Sequence, residues 1–375
     1  MILDLIEIRR DIHRHPETAF KEERTASVIQ QHLKRLDLDS RRCAGTGVIC
    51  DIQGKGPGPT IALRADIDAL PITEATGLPF QSVNQGVMHA CGHDSHVAIL
   101  LGAAERLAAT REQWPGTVRL IFQPAEEVVG GASKMVEDGA LAGVRAIFGL
   151  HNDPTLPVGT AGVAAGPVMA ASDRFAVTIT GKGGHAAYPH QTTDPILAAA
   201  AVVVGLQTIA SRIISPLEPV VVSVGQFHAG TTGNIIPDRA ELRGTTRYFN
   251  LKVGEELPGL METVIGQIAK GYRCRAEIKY DYLVKPVVND ASLTALVRSV
   301  CRQELGDGNV RDFDKVMGAE DFSVYQQIIP GCIFRLGSEG PFGLHHPQFN
   351  INEECLDIGA GLLAEVAKKA LAELG

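Results

Sequence analysis

The sequence predicts an α/β protein built as a three-layer α/β/α domain, with a ferredoxin-like α+β domain inserted into it. The first observation is length, because 375 residues exceed what one hydrophobic core ordinarily holds. The second is an alternation of short apolar strands with helical patterns, typical of a largely parallel sheet covered by helices on both faces. The third is an interruption, since residues 172–283 follow the order β-α-β-β-α-β of a ferredoxin-like unit. We therefore predict one domain from residues 1–171 and 284–375, with residues 172–283 as the insertion.

Within the first domain, helices are predicted where apolar residues recur three and four positions apart, and strands where short apolar runs lie between turns. The stretch from Gly54 to Pro59 is rich in Gly and Pro and separates two strands. The predicted helices are Ile6 to His13, Ala26 to Leu36, Val97 to Ala109, Ala291 to Glu304 and Glu354 to Leu374, and the predicted strands are Gly47 to Gln53, Thr60 to Ala65, Thr117 to Phe122, Ala146 to Leu150 and Cys332 to Leu336.

Within the insertion, Phe175, Val177 and Ile179 alternate with polar or small residues, which predicts a strand with one exposed face. The longest apolar run of the chain, Ile196 to Leu206, is rich in Ala and is interpreted as a buried helix. The other predicted elements are the helices Pro195 to Ile213 and Glu255 to Ala269 and the strands Val220 to Phe227, Ala240 to Tyr248 and Cys274 to Tyr282.

The bulk composition argues against several classes of partner. A net charge of −8 argues against nucleic acid, whose phosphates are bound by clustered Lys and Arg. No apolar run reaches the roughly 18–20 residues of a membrane span, and no signal peptide is visible at the start. Seven scattered Cys fit reduced thiols better than a disulfide framework. We expect a cytoplasmic protein that binds neither nucleic acid nor a membrane.

The strongest chemical signal lies between His89 and His96, in the string His-Ala-Cys-Gly-His-Asp-Ser-His. Cys91 and His93 are two positions apart, so in an extended loop they can point the same way. The intervening glycine lets the backbone turn closely around an ion. Asp94 precedes an apolar helix and suits its N-cap position. A lone Cys-x-His is more often structural than metal-binding, so this string alone does not establish a metal site.

Three further segments place metal-binding side chains after apolar strands: Glu126-Glu127, His151, and the pair His345-His346. Each has an ordinary alternative, respectively a solvated pair, a capped strand end and a surface turn. Open α/β sheets, however, keep their sites at the carboxyl ends of their strands. Taken together with the Cys-x-His string, the segments predict one metal site at that edge.

Three strings of the sequence resemble motifs of a known protein family: Met88 to Asp94 (MHACGHD), Gln123 to Glu127 (QPAEE) and Gly181 to His190 (GKGGHAAYPH). They resemble the amidohydrolases that include hippurate hydrolase, N-acyl-amino-acid amidohydrolases and auxin-conjugate hydrolases, within the aminoacylase and carboxypeptidase G clan. The resemblance runs from Arg9–Glu17 to Leu344–Pro347, nearly the whole chain. It implies a zinc-exopeptidase-like catalytic domain, an inserted lid domain used for dimerisation, and two divalent metal ions per chain.

The resemblance also implies roles for individual residues. Glu126 matches the carboxylate that takes a proton from the water bridging the ions and delivers it to the departing amine. His185 matches a lid histidine that reaches the neighbouring subunit's site, which implies a homodimer. We expect the predicted strands Phe175 to Ile179 and Val220 to Phe227 to offer a free edge for pairing between two lids. Asn234 and Arg247 match residues that hold the substrate's carbonyl and carboxylate. The implied metal ligands are Cys91, His93, Glu127, His151 and His345.

One departure from the wider clan concerns Arg64-Ala65-Asp66, which stands where a His-x-Asp usually supplies a metal ligand. Asp66 is therefore interpreted, like Asp94, as a residue that supports the ligands. The identity of the metal stays open among Zn, Mn, Co and Ni, because thiolate, imidazole and carboxylate donors together suit several of them.

The predicted activity is hydrolysis of N-acyl-L-amino acids, with an N-acetyl, N-benzoyl or similar group, to a carboxylic acid and a free amino acid. The alternatives are an N-acetyldiaminopimelate deacetylase, which shares the Gly-Lys-Gly-Gly-His string, and a metallo-dipeptidase. A non-catalytic binding protein on the same scaffold is a fourth hypothesis. The complete ligand set together with Glu126 argues against it, because a degenerate relative is expected to lose one of these residues.

Overall fold

The apolar runs of the first domain form the central strands of one sheet in the computed structural model, which describes Leu3–Gly375. Leu63, Phe148 and Phe334 lie on three neighbouring strands and are fully buried. Continuous apolar strands of this kind belong to sheets covered on both faces, where the strands are parallel.

The helices and strands of the described chain are numbered here in chain order. The helices are α1 (Leu5–Arg14), α2 (Glu23–Arg35), α3 (His93–Ala109), α4 (Gly131–Glu137), α5 (Pro195–Thr208), α6 (Leu251–Gly271), α7 (Ala291–Leu305), α8 (Phe322–Gln326) and α9 (Cys355–Glu373). The strands are β1 (Ser40–Cys43), β2 (Gly47–Gln53), β3 (Thr60–Asp66), β4 (Thr117–Gln123), β5 (Val144–Asp153), β6 (Ala161–Gly162), β7 (Gly166–Met169), β8 (Ala171–Thr180), β9 (Gly184–His185), β10 (Val220–Ala229), β11 (Ile235–Ile236), β12 (Arg239–Tyr248), β13 (Arg275–Val284), β14 (Val287–Asn289), β15 (Val310–Arg311) and β16 (Gly331–Gly337).

The large sheet has the strand order β1-β2-β4-β3-β5-β16-β6-β15. Its centre is parallel, because β3 pairs in parallel with β4 and β5, and β5 pairs in parallel with β16. The pairs β1 with β2, β2 with β4 and β6 with β16 are antiparallel. The prediction of a largely parallel sheet is therefore correct for the central strands, and the complete sheet is mixed.

Helices cover both faces of this sheet. On one face, α1, α3, α7 and α9 share a single apolar core with alternate strand residues such as Leu63 and Phe148. On the other face, Phe322 of α8 packs against Gly149, which follows Phe148 and so points the opposite way. The predicted three-layer α/β/α class is confirmed.

The described chain divides into two units. The core unit runs from the start of the described chain to Gly166 and continues in Val288–Asp314 and Glu320–Gly375. The inserted unit comprises Pro167–Val287 and also Lys315–Ala319. The second segment was not part of the predicted insertion. It joins the unit by backbone pairing, since Val316 donates to the carbonyl of Val168 at 3.1 Å.

The inserted unit contains a four-stranded antiparallel sheet in the order β10-β12-β8-β13, with α5 and α6 packed against it. Along the chain these elements follow β8-α5-β10-β12-α6-β13. The prediction that Phe175 to Ile179 offers a free edge is wrong, because β8 pairs with strands on both sides. The free edges of this sheet are β10 and β13, so the predicted edge at Val220 to Phe227 does lie on one of them.

The apolar helix α5 is buried on one face only. Ala198, Val202 and Leu206 are fully buried, whereas Leu197 is 55% and Val204 is 71% exposed. The interpretation of Ile196 to Leu206 as a buried helix is therefore wrong for half of its circumference. Pro195–Ile213 is long and apolar enough to cross a membrane by length and composition alone. Core helices of soluble proteins can meet the same two criteria.

Candidate active site

The predicted metal ligands of the core unit all follow central strands or begin the helix beside them. Glu127 comes shortly after the end of β4, and His151 lies near the end of β5. Cys91 and His93 lie at the start of α3, and His345 lies in the loop after β16. The carboxyl ends of β3, β4, β5 and β16 therefore gather these side chains at one edge of the sheet.

The ligand atoms of these five residues form two overlapping groups. In the first, Cys91, His93 and His151 bring their donor atoms within 4.8 Å of one another. In the second, Cys91, Glu127 and His345 do the same. The Cys91 thiol is common to both groups, and its Sγ lies 3.5 Å from Nε2 of His151. Glu127 Oε1 lies 3.4 Å from Nε2 of His345 and 3.9 Å from Nε2 of His93.

Hydrogen bonds leave the Nε2 atoms of two histidines free to act as ligands. Nδ1 of His151 lies 2.8 Å from the Asn152 carbonyl, and Nδ1 of His93 lies 2.9 Å from the Asp68 carbonyl. A carbonyl only accepts, so each Nδ1 carries the proton and each Nε2 can offer its lone pair. Nε2 of His93 and Oε1 of Glu127 are buried with no hydrogen-bond partner in the described chain. Unpaired buried polar atoms of this kind fit a divalent cation.

The protonation tendencies of the cluster depend on burial and on its neighbours. Burial, with the nearby Glu127 charge, raises the pKa of the Cys91 thiol to about 12, so a cation must displace its proton. Burial and His96 lower the pKa of His151 well below its ordinary value, which keeps the ring neutral. Burial opposes ionisation of Glu127, yet the close approach of His345 and the charge of His93 leave its pKa below normal.

Glu126 lies beside these ligands in a loop of unusual backbone conformation. Its carboxylate forms a close group with His93 and Glu127. Burial, followed by the charges of Glu320 and Asp321, raises its pKa well above the ordinary value for a glutamate. Ala125 has a φ of 54°, in the left-handed region that L-residues seldom adopt. The site therefore holds a carboxyl group that is close to the ligand set without being one of the five predicted ligands.

Two buried acids accept hydrogen bonds from the backbone of the Glu126 loop, and a third accepts from the start of α4, the helix that follows it. None of the three was among the predicted site residues. Glu22 accepts from the Ala125 amide at 2.9 Å, and Asp68 accepts from the Glu127 amide at 3.1 Å. Asp321 accepts from the Ala132 amide at 3.0 Å. A signal for Asp68 was present, because it lies two residues beyond Asp66 and so on the same side of an extended chain.

Asp66 lies in a buried network centred on Arg64. The guanidinium donates to Asp66 at 2.6 Å, to Glu320 at 2.8 Å and to Asp321 at 3.1 Å. The other oxygen of Asp66 lies 2.5 Å from Nδ1 of His96 and 3.7 Å from Nε2 of His93. An Arg paired with several acids satisfies charges that would be costly to bury alone. Asp66 thus contacts His96, a neighbour of the predicted ligands, and accepts a hydrogen bond from Arg64.

Two neighbouring histidines that the sequence analysis left unassigned have other partners. His96 uses both ring nitrogens, since Nδ1 faces Asp66 and Nε2 accepts from the Asn152 amide at 3.0 Å. His346 is exposed, stacks on Phe342 and accepts from the Gln348 amide through Nδ1.

The N-cap prediction for Asp94 is wrong. The N-cap of α3 is Gly92, whose φ of 85° is left-handed and is adopted at low cost by glycine. Asp94 lies in the first turn with its carboxylate fully buried. It accepts from Nε of Arg9 at 2.9 Å and lies 2.8 Å from Nδ1 of His13. Its partners are therefore in α1, and not at the amides of its own helix.

In the inserted unit, two of the three predicted lid residues lie side by side. His185 is on β9, which pairs with β11, and the amide after His185 donates to the Asn234 carbonyl at 3.0 Å. His185 and Asn234 are both exposed. Arg247 lies on β12, is half-buried, and donates to the carbonyl of Thr246 at 2.9 Å. Burial lowers the pKa of its guanidinium from the ordinary value.

Comparison with known proteins identifies the family. Residues 62–369 match the family Peptidase family M20/M25/M40. The chain is 47% identical to an N-acetylcysteine deacetylase of Bacillus subtilis over 97% of this chain and 96% of that protein. It is 42% identical to an IAA-amino acid hydrolase of Arabidopsis thaliana, over 99% of this chain and 86% of that protein.

A solved structure of the same family is also similar to this chain. The Bacillus subtilis YXEP protein, described as a dinuclear metal binding peptidase of the M20 family, superposes with a TM-score of 0.89. It is 42% identical, and the match covers 98% of each chain. The chain belongs to peptidase family M20/M25/M40 and is an amidohydrolase of that family.

Proposed function

We propose that this chain is a di-metal hydrolase that cleaves the amide bond of N-acyl-L-amino acids. The observation that carries the proposal is the pair of overlapping ligand groups that share Cys91, with Glu126 beside them. A site of this composition suits a hydrolase better than a binding protein, because a binding protein needs no free carboxyl group next to its ions. The relatives named for deacetylation of N-acetylcysteine and for hydrolysis of IAA-amino acids support an N-acyl amino acid as substrate.

Two divalent cations fit the five donors. Cys91, His93 and His151 would hold one cation, and Cys91, Glu127 and His345 would hold the other, which makes the thiolate a shared ligand. When bound, the cations polarise the substrate carbonyl and make water acidic enough to attack near neutral pH. Thiolate and imidazole donors favour Zn²⁺, Co²⁺ or Ni²⁺, while the carboxylate also accepts Mn²⁺.

Glu126 is proposed as the general base and acid. It takes one proton from the attacking water as the new carbon–oxygen bond forms. It gives that proton to the amide nitrogen as the carbon–nitrogen bond breaks, so the products are a carboxylic acid and a neutral amine. Burial and neighbouring acids raise its pKa, which suits a group that must hold the proton between these two events.

His185, Asn234 and Arg247 are proposed to complete the site from the inserted unit. By resemblance, His185 stabilises the charge that develops on the carbonyl oxygen, and Asn234 holds that carbonyl. Arg247 binds the substrate carboxylate, for which a guanidinium is well suited because it forms paired hydrogen bonds. These roles imply that the substrate has a free carboxylate.

A homodimer through the inserted unit is proposed as the working form. The free edge strand β10 carries no charged residue from Val220 to Phe227, so little on it opposes pairing with a second strand. The apolar residues Leu197 and Val204 on α5 are exposed in the single chain. Because all seven cysteines are free thiols, we also propose a cytoplasmic location.

A substrate panel tests the proposed activity. Purified protein is stripped with a chelator and reloaded separately with Zn²⁺, Mn²⁺, Co²⁺ or Ni²⁺. Release of amine is then measured from N-acetyl amino acids, N-benzoyl amino acids and dipeptides. We expect no turnover in the stripped protein, and hydrolysis of N-acyl amino acids in preference to dipeptides after reloading. Binding of two ions without hydrolysis of any substrate would favour a binding protein, and failure to bind metal would contradict the site itself.

A further inference from the structure

We propose that helix α1 sets the metal affinity of the site, with Arg9 and His13 as positioning residues that join the two ligand-bearing loops. The inference rests on the proposed metal site and assigns a task to residues that are not ligands. Both side chains are fully buried, and each contacts Asp94.

The first ligand-bearing loop is long and needs external support. Between the end of β3 at Asp66 and the start of α3 at His93, the chain has no helix or multi-residue strand, and Cys91 lies near the end of this loop. Long irregular segments in compact domains are commonly functional and are held by packing against rigid elements. Here the rigid element is α1, because Arg14 donates to the Pro79 carbonyl at 2.6 Å and the ring of Phe80 packs beneath Arg9.

His13 contacts both this loop and the helix that follows it. Its Nδ1 lies 2.8 Å from Asp94 at the start of α3, and its Nε2 lies 3.3 Å from Glu74 in the middle of the loop. Glu74 in turn accepts from the Ser82 amide at 2.7 Å. One imidazole therefore joins the middle of the loop to the helical turn that carries His93.

Arg9 joins this loop to the second ligand-bearing segment. Its Nε donates to Asp94 at 2.9 Å, and its two terminal nitrogens donate to Glu353 at 2.9 Å and to Asn350 at 3.0 Å. Asn350 and Glu353 follow His345 along the chain. The three guanidinium nitrogens thus bridge the segment bearing Cys91 and His93 to the segment bearing His345.

Two backbone hydrogen bonds also join these segments, and the side chains of α1 add the Arg9 bridge to them. The His345 amide donates to the Ala90 carbonyl at 2.7 Å, and the Ala75 amide donates to the Pro347 carbonyl at 2.8 Å. Metal sites tolerate ligand displacements of only about 0.2 Å. Residues that orient ligands typically change metal affinity about 10–100-fold when they are replaced. Loss of the Arg9 bridge should therefore be detected as weaker metal binding.

Cobalt titration of the metal-free protein tests the proposal. Arg9→Lys keeps the charge but cannot supply three separated donors, and His13→Gln keeps polarity but cannot span Asp94 and Glu74. Arg10→Lys is the matched control, because Arg10 binds the same Glu353 at 2.6 Å, is only partly buried, and makes no hydrogen bond to Asp94. The measurements are the Co²⁺ Kd and stoichiometry, the thiolate-to-cobalt absorption band, and thermal unfolding of the metal-free chain. We expect Kd to rise about 10–100-fold in the first two variants, with an altered band, and to stay unchanged in the control.

A purely structural role would lower the unfolding temperature of the metal-free variants and leave the Co²⁺ Kd and absorption band unchanged. That result would overturn the proposal. If Arg9→Lys does not fold, Asn350→Ala removes one acceptor of the bridge and keeps the contact between Arg9 and Asp94. We then expect a smaller increase in Kd, and wild-type Kd in both Asn350→Ala and His13→Gln would overturn the proposal. A wild-type chain that binds no Co²⁺ would instead overturn the proposed metal site, and this inference with it.

Discussion

Replacing Gly92 with alanine should weaken metal binding more than it destabilises the fold. Gly92 lies between Cys91 and His93 and has a φ of 85°. A Cβ at this position would lie 2.4 Å from Oδ1 and 2.7 Å from Nδ2 of Asn152. Asn152 is fully buried and follows His151, whose Nδ1 donates to the Asn152 carbonyl. The new methyl group therefore pushes against Asn152, next to His151, and against its own loop, which carries Cys91 and His93. All three ligands of the first group are affected.

The magnitude has two separable parts. Left-handed backbone costs an L-residue roughly 1–2 kcal/mol, and this part lowers the free energy of unfolding. The second part is steric. Ordinary contact needs about 3.4 Å, so a contact of 2.4 Å requires a shift of about 1 Å by Asn152 or by the Cys91–His93 loop. That shift is several times the roughly 0.2 Å that a metal site tolerates. We expect metal affinity to fall by about 10–100-fold, which corresponds to about 1.4–2.7 kcal/mol.

Gly86→Ala is the matched control, because Gly86 has a φ of 78° and a Cβ there would meet no atom within 4 Å. It should show the backbone cost without the steric one. The assay pairs denaturant unfolding of the metal-free proteins with a Co²⁺ titration of each. We expect both variants to lose stability and only Gly92→Ala to lose metal affinity. Wild-type affinity in Gly92→Ala would refute the reasoning.

Three further predictions concern reactivity, recognition and assembly. Alkylation of Cys91 should abolish metal binding, and bound metal should slow that alkylation; modification of Cys91 with unchanged metal content, shown by peptide mapping and metal analysis, would remove it from the ligand set. Substrates whose α-carboxylate is amidated should lose roughly 10- to 100-fold in kcat/KM, because Arg247 is left without its partner; equal rates on both forms would remove Arg247 from the carboxylate role. Mixing inactive Glu126→Gln chains with inactive His185→Ala chains should restore activity, since one site of a mixed dimer has both residues intact; no recovery after demonstrated subunit exchange would place His185 in its own chain's site.

Much of the fold could be predicted, because buried segments can be recognised in the sequence by their apolar residues. Strands β3 and β4 are covered on both faces, and each therefore contains a short apolar run between turns. The order of strands within a sheet has no comparable signal in the sequence. The strand that contains Phe175 comes first along the chain among the four strands of the inserted unit's sheet, yet it lies inside that sheet between β12 and β13. One exposed face of α5 was missed for a related reason, since apolar composition does not show which side lacks a neighbour.

The site residues likewise include some that the sequence identifies and others that it does not. Cys91, His93 and Glu127 stand in strings whose spacing and position after strands carry the chemical signal. The residues that hold them are mostly distant in sequence, and nothing in the sequence links them to the ligands. Asp94 suited an N-cap locally, but Arg9, some 85 positions away, is its actual partner. Asp321 binds the start of α4, the helix after the Glu126 loop, from a separate segment, which only the folded chain reveals.

The central claim is that Glu126 moves the proton while its neighbour Glu127 binds metal, and one paired measurement tests it most directly. Turnover of an N-acyl amino acid and the number of bound ions per chain are measured for Glu126→Gln, with Glu127→Gln as the comparison. We predict that Glu126→Gln keeps both ions and loses roughly 10²–10⁴-fold in kcat, whereas Glu127→Gln loses metal. Wild-type turnover in Glu126→Gln would contradict the mechanism, and loss of metal from that variant would show that the two glutamates have exchanged roles.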